Sequence, residues 1–285
     1  MLKSLKKINF FLKKKKEIYL IESIDDKAFV EDSLLNEKLI GIDTEFNWRK
    51  TYFPELSLLQ ISTESQILLI DYLKFKSLSF LKKILESNQR LIIVHSSRSD
   101  ATVLSTNLKI KLKNTFDIQL AEKEINGGFI KNYGSIVSTY SGYELDKSET
   151  NSNWLKRPLK GKQLEYAAND VNFLIPIYKK QIKKLKKRDK VKKVMLDSRK
   201  EVEKGNQELH ISRLKKLKRA SNDERDIFIW RERQASIKNL PPSFIFEDKF
   251  LKQITKEVRK KKSQEIIKFF KDSSSINDFL QHIKL

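Results

Sequence analysis

Between residues 39 and 118 the chain alternates short apolar runs with stretches of helical spacing. Leu39-Ile40-Gly41-Ile42 is the first run, and Ser57–Ile61 and Ile67–Ile70 follow with few polar residues between them. Runs this short and this closely spaced predict an antiparallel meander. A helix is predicted near Ser77–Glu86, a strand at Leu91–Val94, a helix over Ser99–Ser105, and a short strand at Asn114–Ile118 that enters another helix. Strands and helices mixed in this order predict an α/β domain with a mixed sheet. From Gln207 the period changes. Ile227, Trp230 and Arg231 beside Leu240, then Phe250, Leu251, Ile254 and Val258, recur at helical spacing. Pro241-Pro242 ends one helix and Ser273–Ser275 precedes another. The expectation is a small all-α domain over 207–285. Between the domains, the lysine-rich run at 179–194 reads as the charged end of a helix passing into a basic linker or helix extension over 186–206.

Composition narrows the possible chemistry. At 285 residues, a prior of ~150 residues per domain gives two domains. A hydrophobic content of 39% is too high for a wholly disordered chain. The chain has no cysteine, so disulfides and thiolate metal sites are excluded, and with 3 histidines any metal should be a hard cation held by carboxylates. No apolar run approaches the ~20 residues needed to cross a bilayer. The basic start has apolar stretches too interrupted for a signal peptide, so a reducing, cytoplasmic location is expected and no membrane partner.

The net charge of +22 changes the picture more, because such an excess points to a polyanion, most often nucleic acid. Of the 59 basic residues 47 are lysine, a bias that an A- and T-rich coding sequence also produces without selection for binding. The excess is uneven: residues 181–285 carry 30 basic and 15 acidic side chains.

Three stretches carry candidate chemistry. In Ile42-Asp43-Thr44-Glu45-Phe46, positions i and i+2 of a strand project Asp43 and Glu45 to one side, where a divalent cation would relieve their repulsion. Taken alone, the pair is better explained as a polar strand end with both groups in water. In His95-Ser96-Ser97-Arg98-Ser99-Asp100, which follows an apolar strand, Asp100 opens a helix, where an acidic residue is common for reasons of the helix dipole. His95 reads as either functional or simply buried. In Glu165-Tyr166-Ala167-Ala168-Asn169-Asp170, Tyr166 and Asp170 lie at i and i+4 on one helical face, and the two alanines permit close approach to a sheet.

Taken together, the carboxylates in the order Asp-Glu, Asp, then Tyr-x-x-x-Asp resemble the DEDD superfamily of 3′→5′ exonucleases, in the subgroup with tyrosine in its third motif. The ribonuclease D family is the nearest likeness, through DTEF at 43–46, TYFPELSLLQIS at 51–62, YSGYELDKSETNSNWLKRPL at 140–159 and EYAANDVNFLIPIY at 165–178. The stretch 227–254, with Trp230-Arg231, Pro241-Pro242, Ile245, Asp248 and Leu251, resembles the helical (HRDC) domain shared by RecQ-type helicases and ribonuclease D. The chain departs from the pattern at Ser99, where an acidic residue is usual, at Asn151 for Arg, at Asn153 for Asp, and at Lys160-Gly161, where a Ser or Thr helix cap is usual.

The resemblance implies a ribonuclease H-like exonuclease domain over 17–185 and a helical nucleic-acid-binding domain over 207–285. It also implies two Mg²⁺ or Mn²⁺ ions, with Asp43 bridging both, Glu45 and Asp170 completing one site and Asp100 holding the other. Tyr166 would orient the attacking water, while His95, Lys147 and Arg157 would contact substrate. Phe46, Tyr52 and Trp154 either stack bases or pack in a core. The implied substrate is RNA with a free 3′ end, transfer RNA precursors included, with no nucleotide cofactor. A proofreading-type DNA exonuclease and a non-catalytic RNA-binding module are the alternatives.

Overall fold

The computed structural model describes residues 6–8, 16–75 and 77–284. The chain separates into two units, Met1–Asn47 with Glu55–Asn206, and Trp48–Pro54 with Gln207–Leu285.

The first unit is built on a seven-stranded mixed sheet in the order β1-β2-β5-β4-β3-β6-β7. Its strands are β1 (Lys6–Ile8), β2 (Glu17–Ile21), β3 (Leu39–Asn47), β4 (Glu55–Ser62), β5 (Gln66–Asp71), β6 (Leu91–Val94) and β7 (Thr115–Asp117). The predicted meander is β3-β4-β5, antiparallel throughout, whereas β3-β6, β6-β7 and β2-β5 are parallel. β3 outruns its parallel neighbour: β6 pairs only with Leu39–Gly41, so the chain beyond is free to carry a site. Asp43 and Glu45 therefore sit inside a long strand, opposite Gln60 and Leu58 of β4, and not at a strand end as the sequence suggested. The register slips between Glu45 and Phe46, and such bulges often re-aim side chains beside active sites.

Helices cover both faces. α1 (Lys27–Leu35) and α2 (Arg98–Leu108) pack Val30, Leu34, Ala101 and Leu104 against Ile40, Ile42, Leu59 and Ile92. On the other face lie α3 (Ile118–Ile125), α4 (Tyr133–Ser141), α5 (Gly161–Asn172) and α6 (Leu174–Lys186), over Leu58, Leu69, Ile93 and Phe116. Gly41 is a point of close approach on that face. A Cβ there would stand 2.5 Å from the Ser62 hydroxyl and 3.2 Å from Leu174, so only glycine lets the α5–α6 junction sit this low on β3. Ser62 fixes the same junction by donating to the Val171 carbonyl at 2.8 Å.

Of the basic linker or helix extension expected over 186–206, most is helix. α7 (Val191–Gly205) packs within the first unit, with Val194, Ser198 and Val202 buried. The Ser198 hydroxyl accepts from the Asp117 amide at 3.0 Å, and Thr102 donates to the Gly205 carbonyl at 3.0 Å.

The second unit consists of helices α8 (Leu209–Leu214), α9 (Asn222–Lys238), α10 (Leu251–Arg259), α11 (Ser263–Ile267) and α12 (Ile276–His282). α9 starts with a capping box between Ser221 and Glu224. Its core gathers Trp230, Phe246, Ile254 and Phe279, and Tyr52 of the 48–54 segment joins it. Trp230 donates to Asp278 at 2.8 Å. Buried Arg231 lies between the Phe228 and Phe246 rings, donates to the Phe246 carbonyl at 3.0 Å and pairs with Asp248 at 2.6 Å. The Trp-Arg pair is thus a core device. Among the described residues, no helix is long and apolar enough to cross a membrane.

Candidate active site

Strand alternation sorts the four carboxylates. Ile40 and Ile42 pack on the α1–α2 face, so Asp43 and Glu45 turn toward the opposite face, where α5 presents Asp170. One oxygen from each of Asp43, Glu45 and Asp170 can be chosen so that all three lie within 4.8 Å of one another. These carboxylates line a cavity of about 180 Å³ with Ile42, His95, Tyr133, Tyr166 and Leu174.

Asp100 arrives by another route. It is buried in the first turn of α2, on the face that Thr44 addresses, and its Oδ1 accepts from the Thr44 hydroxyl at 2.6 Å. It stands outside the close trio, yet near enough for its charge to bear on all three members. The strand thus reads alternately: Asp43 and Glu45 to one side, and Thr44 to the other as the anchor for Asp100.

Burial and mutual repulsion of the carboxylates dominate the electrostatics of the site. Burial raises Asp43 far above the usual carboxylate range, and Asp100, Asp170 and Glu45 raise it further. Burial first, then Asp170 and Asp100, push Glu45 up to about 9. Asp170 is raised by burial and by Asp100. Burial lifts Asp100 to about 7, against the opposing Thr44 hydrogen bond. Among the described residues no cation offsets this crowding. Clustered, partly buried, all-oxygen donors are the set that suits Mg²⁺ or Mn²⁺.

Tyr166 lines the same cavity, its hydroxyl 3.4 Å from that of Thr150 and its ring 6.0 Å from Trp154. Burial, then Asp170, raise its pKa, so the phenol stays protonated at neutral pH. Burial lowers His95, which is neutral near pH 7. The His95 turn is held from below: Asp117 accepts from the Ser96 and Ser97 amides at 3.1 and 2.8 Å, and Ser96 adopts a φ of 61°. Gln119 approaches His95 Nε2 at 3.3 Å.

The expected substrate contacts separate. His95 is in the cavity. Lys147 is exposed and packs beside Gly134, the neighbour of the cavity residue Tyr133. Arg157 is elsewhere. Its guanidinium grips buried Asp71 at 2.6 and 2.8 Å and also donates to the Ser57 and Trp154 carbonyls. With those donors engaged it clamps β4, β5 and the 154–157 turn together. Trp154 is buried, and Tyr52 packs in the second unit under Arg213. Ser99 is exposed on α2, and Asn153 accepts from the Leu155 amide in a turn. At the start of α5 the missing Ser or Thr cap is partly replaced by Gln163, which accepts from the Lys160 amide at 3.0 Å.

Sequence reasoning missed Thr44, Tyr133 and Gln119. Thr44 was legible as the residue alternating between two carboxylates. Tyr133 had no signal: it reaches the site from a distant helix, where its hydroxyl donates to the Asn169 carbonyl of α5 at 3.1 Å.

A family description for 3′-5′ exonucleases matches residues 20–186. The ribonuclease D of Desulfotalea psychrophila is 37% identical over 165 residues, 56% of this chain and 43% of that protein. That of Xanthomonas oryzae pv. oryzae is 30% identical over 225 residues, 76% of this chain and 62% of that protein. The chain therefore spans less than two thirds of either relative. The crystal structure of Escherichia coli RNase D superposes with a TM-score of 0.83 at 24% identity, covering 93% of this chain and 74% of that one. It shares the fold.

Proposed function

Because the chain belongs to the 3′-5′ exonuclease family, we propose that it is a divalent-metal-dependent 3′→5′ exoribonuclease of ribonuclease D type. The observation that carries the reading is the trio Asp43, Glu45 and Asp170 in one cavity with Tyr166. The E. coli relative is described as an exoribonuclease involved in structured RNA processing, and by extension the substrates here are RNAs with free 3′ ends, transfer RNA precursors among them. The same reading places the activity in the cytoplasm.

Asp43, Glu45 and Asp170 would hold one ion, and Asp43 with Asp100 a second. Bound ions would supply charge neutralisation at the leaving 3′ oxygen and an acidified water as nucleophile. Thr44 keeps the Asp100 carboxylate in a fixed orientation. Tyr166, protonated at working pH, hydrogen-bonds the attacking water and aims it in line with the scissile bond, a positioning role and not proton abstraction. Neutral His95 offers an imidazole nitrogen to a phosphate oxygen, and Lys147 adds charge at the rim. Each turnover releases a nucleoside 5′-monophosphate.

Grip on long RNA belongs to the helical domain. There, Arg219, Lys252, Lys256, Arg259 and Lys260, with Ser221, Thr255 and Glu224, line an open cavity of about 560 Å³ between α9 and α10. Arg259 is paired with Asp223 at 2.7 Å, and Glu257 lies 3.8 Å from Lys260. No such pair engages Arg219, Lys252 or Lys256 among the described residues. Backbone phosphates are the anions such a surface suits, with little sequence preference.

The test is a 5′-labelled single strand of RNA, and separately of DNA, incubated with Mg²⁺, Mn²⁺ or chelator. A ladder shortening from the 3′ end on RNA is expected. Faster decay of DNA would favour a DNA exonuclease, and retarded but uncut RNA a binding module.

A further inference from the structure

The loop between α3 and α4 carries an apolar pair that the fold does not use. After Gly127 (φ 69°) and Gly128 (φ 105°), a backbone that L side chains rarely adopt, come Phe129 and Ile130, 76% and 65% exposed. Neither joins the hydrophobic clusters of the first unit.

Both ends of the loop are nonetheless fastened. The Gly128 amide donates to the Lys123 carbonyl at 2.8 Å, and the Lys131 ammonium reaches buried Glu122 at 3.4 Å. Gln119 donates to the Lys131 carbonyl at 3.0 Å through the same nitrogen that approaches His95. His95 and Tyr133, whose ring centroids are 5.4 Å apart, both line the carboxylate cavity. Phe129 is thus two residues from a carbonyl tied to the partner of His95, and four from a cavity wall. At ~3.6 Å per extended residue, its Cα lies within ~7 Å of the Lys131 Cα and ~14 Å of the Tyr133 Cα.

The size of the cavity says what is missing. At about 180 Å³ it is smaller than the ~300–1,000 Å³ of sites that enclose a whole small ligand. It can take the phosphate and part of the sugar, so the base must rest on the rim. Its walls are three carboxylates, an imidazole, two phenols and the aliphatic Ile42 and Leu174, a space that a phosphate and part of a sugar fill, so a base outside it needs a partner on the rim. Aromatic faces stack any base, which a sequence-tolerant exonuclease requires.

We propose that Phe129, flanked by Ile130, is the platform on which a nucleobase next to the scissile phosphate stacks. The proposal rests on the exonuclease reading and adds a binding surface to it. The Gly127-Gly128 bend gives the platform freedom to meet purines and pyrimidines alike.

The experiment uses the full chain and short RNAs carrying 2-aminopurine at the terminal or the penultimate 3′ position, in the Asp43→Asn background so that the strand is not consumed. Quenching on binding is expected at one of these positions. Phe129→Ala should abolish it and Phe129→Trp preserve it, with unchanged melting temperature because the ring is exposed. In the otherwise wild-type enzyme, Phe129→Ala should raise KM for a trinucleotide by ~10-fold or more and leave kcat within about twofold. Equal quenching with and without the ring, or no quenching at either position, would overturn the platform. The exonuclease reading fails separately, if the enzyme with an intact Phe129 leaves RNA uncut. Quenching in the Asp43→Asn background still decides the platform in that case.

Discussion

Replacing Glu45 by Gln should abolish activity and stabilise the metal-free protein at the same time. In the unfolded chain this glutamate ionises near 4.5, whereas in the fold burial, Asp170 and Asp100 raise it to about 9. Below the unfolded value both states are protonated and the group costs nothing. Between the two values the folded state must take up a proton or hold a buried charge. Stability therefore falls as pH rises, by up to ~1.4 kcal/mol per unit, until the folded value is passed. At pH 8 the accumulated cost, reduced for the water that reaches a partly buried group, is about 3–5 kcal/mol. Glutamine is neutral in both states and its amide can donate to Asp43 or Asp170, so the variant escapes most of that cost. For a domain of this size ~1 kcal/mol moves the melting temperature by ~2–4 °C, so a rise of roughly 6–20 °C is expected in chelator at pH 8. Thermal melts from pH 5 to 9 read it directly. The gap between variant and parent should close toward pH 5, and saturating Mg²⁺ or Mn²⁺ should shrink it at pH 8 by stabilising the parent. A variant no more stable than its parent at pH 8 in chelator would refute the crowded, uncompensated carboxylate site.

Tyr166→Phe deletes only the hydroxyl and should lower kcat ~10²-fold with RNA affinity nearly unchanged; normal turnover would make the ring a packing residue only. Arg157→Ala should cost ~3–5 kcal/mol in denaturant unfolding, because it leaves buried Asp71 unpaired. Its RNA affinity, measured well below its unfolding midpoint, should match that of the parent. Lys252→Ala with Lys256→Ala should flatten the slope of log affinity against log salt by ~0.7 per lost phosphate contact on single-stranded RNA. An unchanged slope would make the charge of the helical domain a solvated surface.

The parts of the fold legible in the sequence are those where one residue's neighbours suffice. β3, β4 and β5 were readable because apolar runs with short polar breaks leave few other pairings, and Tyr166 and Asp170 because the helical period is local. α7 was not. Its buried face is Val194, Ser198, Val202 and Gly205, two of them small and polar or bare, in a segment whose lysines suggest solvent. Thr102 and Asp117, far away in sequence, make that face a core. The Arg157 clamp was hidden for a related reason: its partner Asp71 lies 86 positions earlier. The carboxylate order was readable, but not the division of labour within it. That Asp100 comes in on the Thr44 side follows from which helix covers which face of the sheet.

The central claim is that these carboxylates drive removal of single nucleotides from a 3′ end. It is tested most directly by the identity of the first product from a 3′-terminally labelled RNA, compared between wild type and Asp43→Asn in Mg²⁺. The account predicts a labelled nucleoside 5′-monophosphate as the first product of the wild-type enzyme, while the variant, still folded by circular dichroism, yields none. A labelled oligonucleotide or a 3′-phosphorylated product, or an active Asp43→Asn variant, would contradict it.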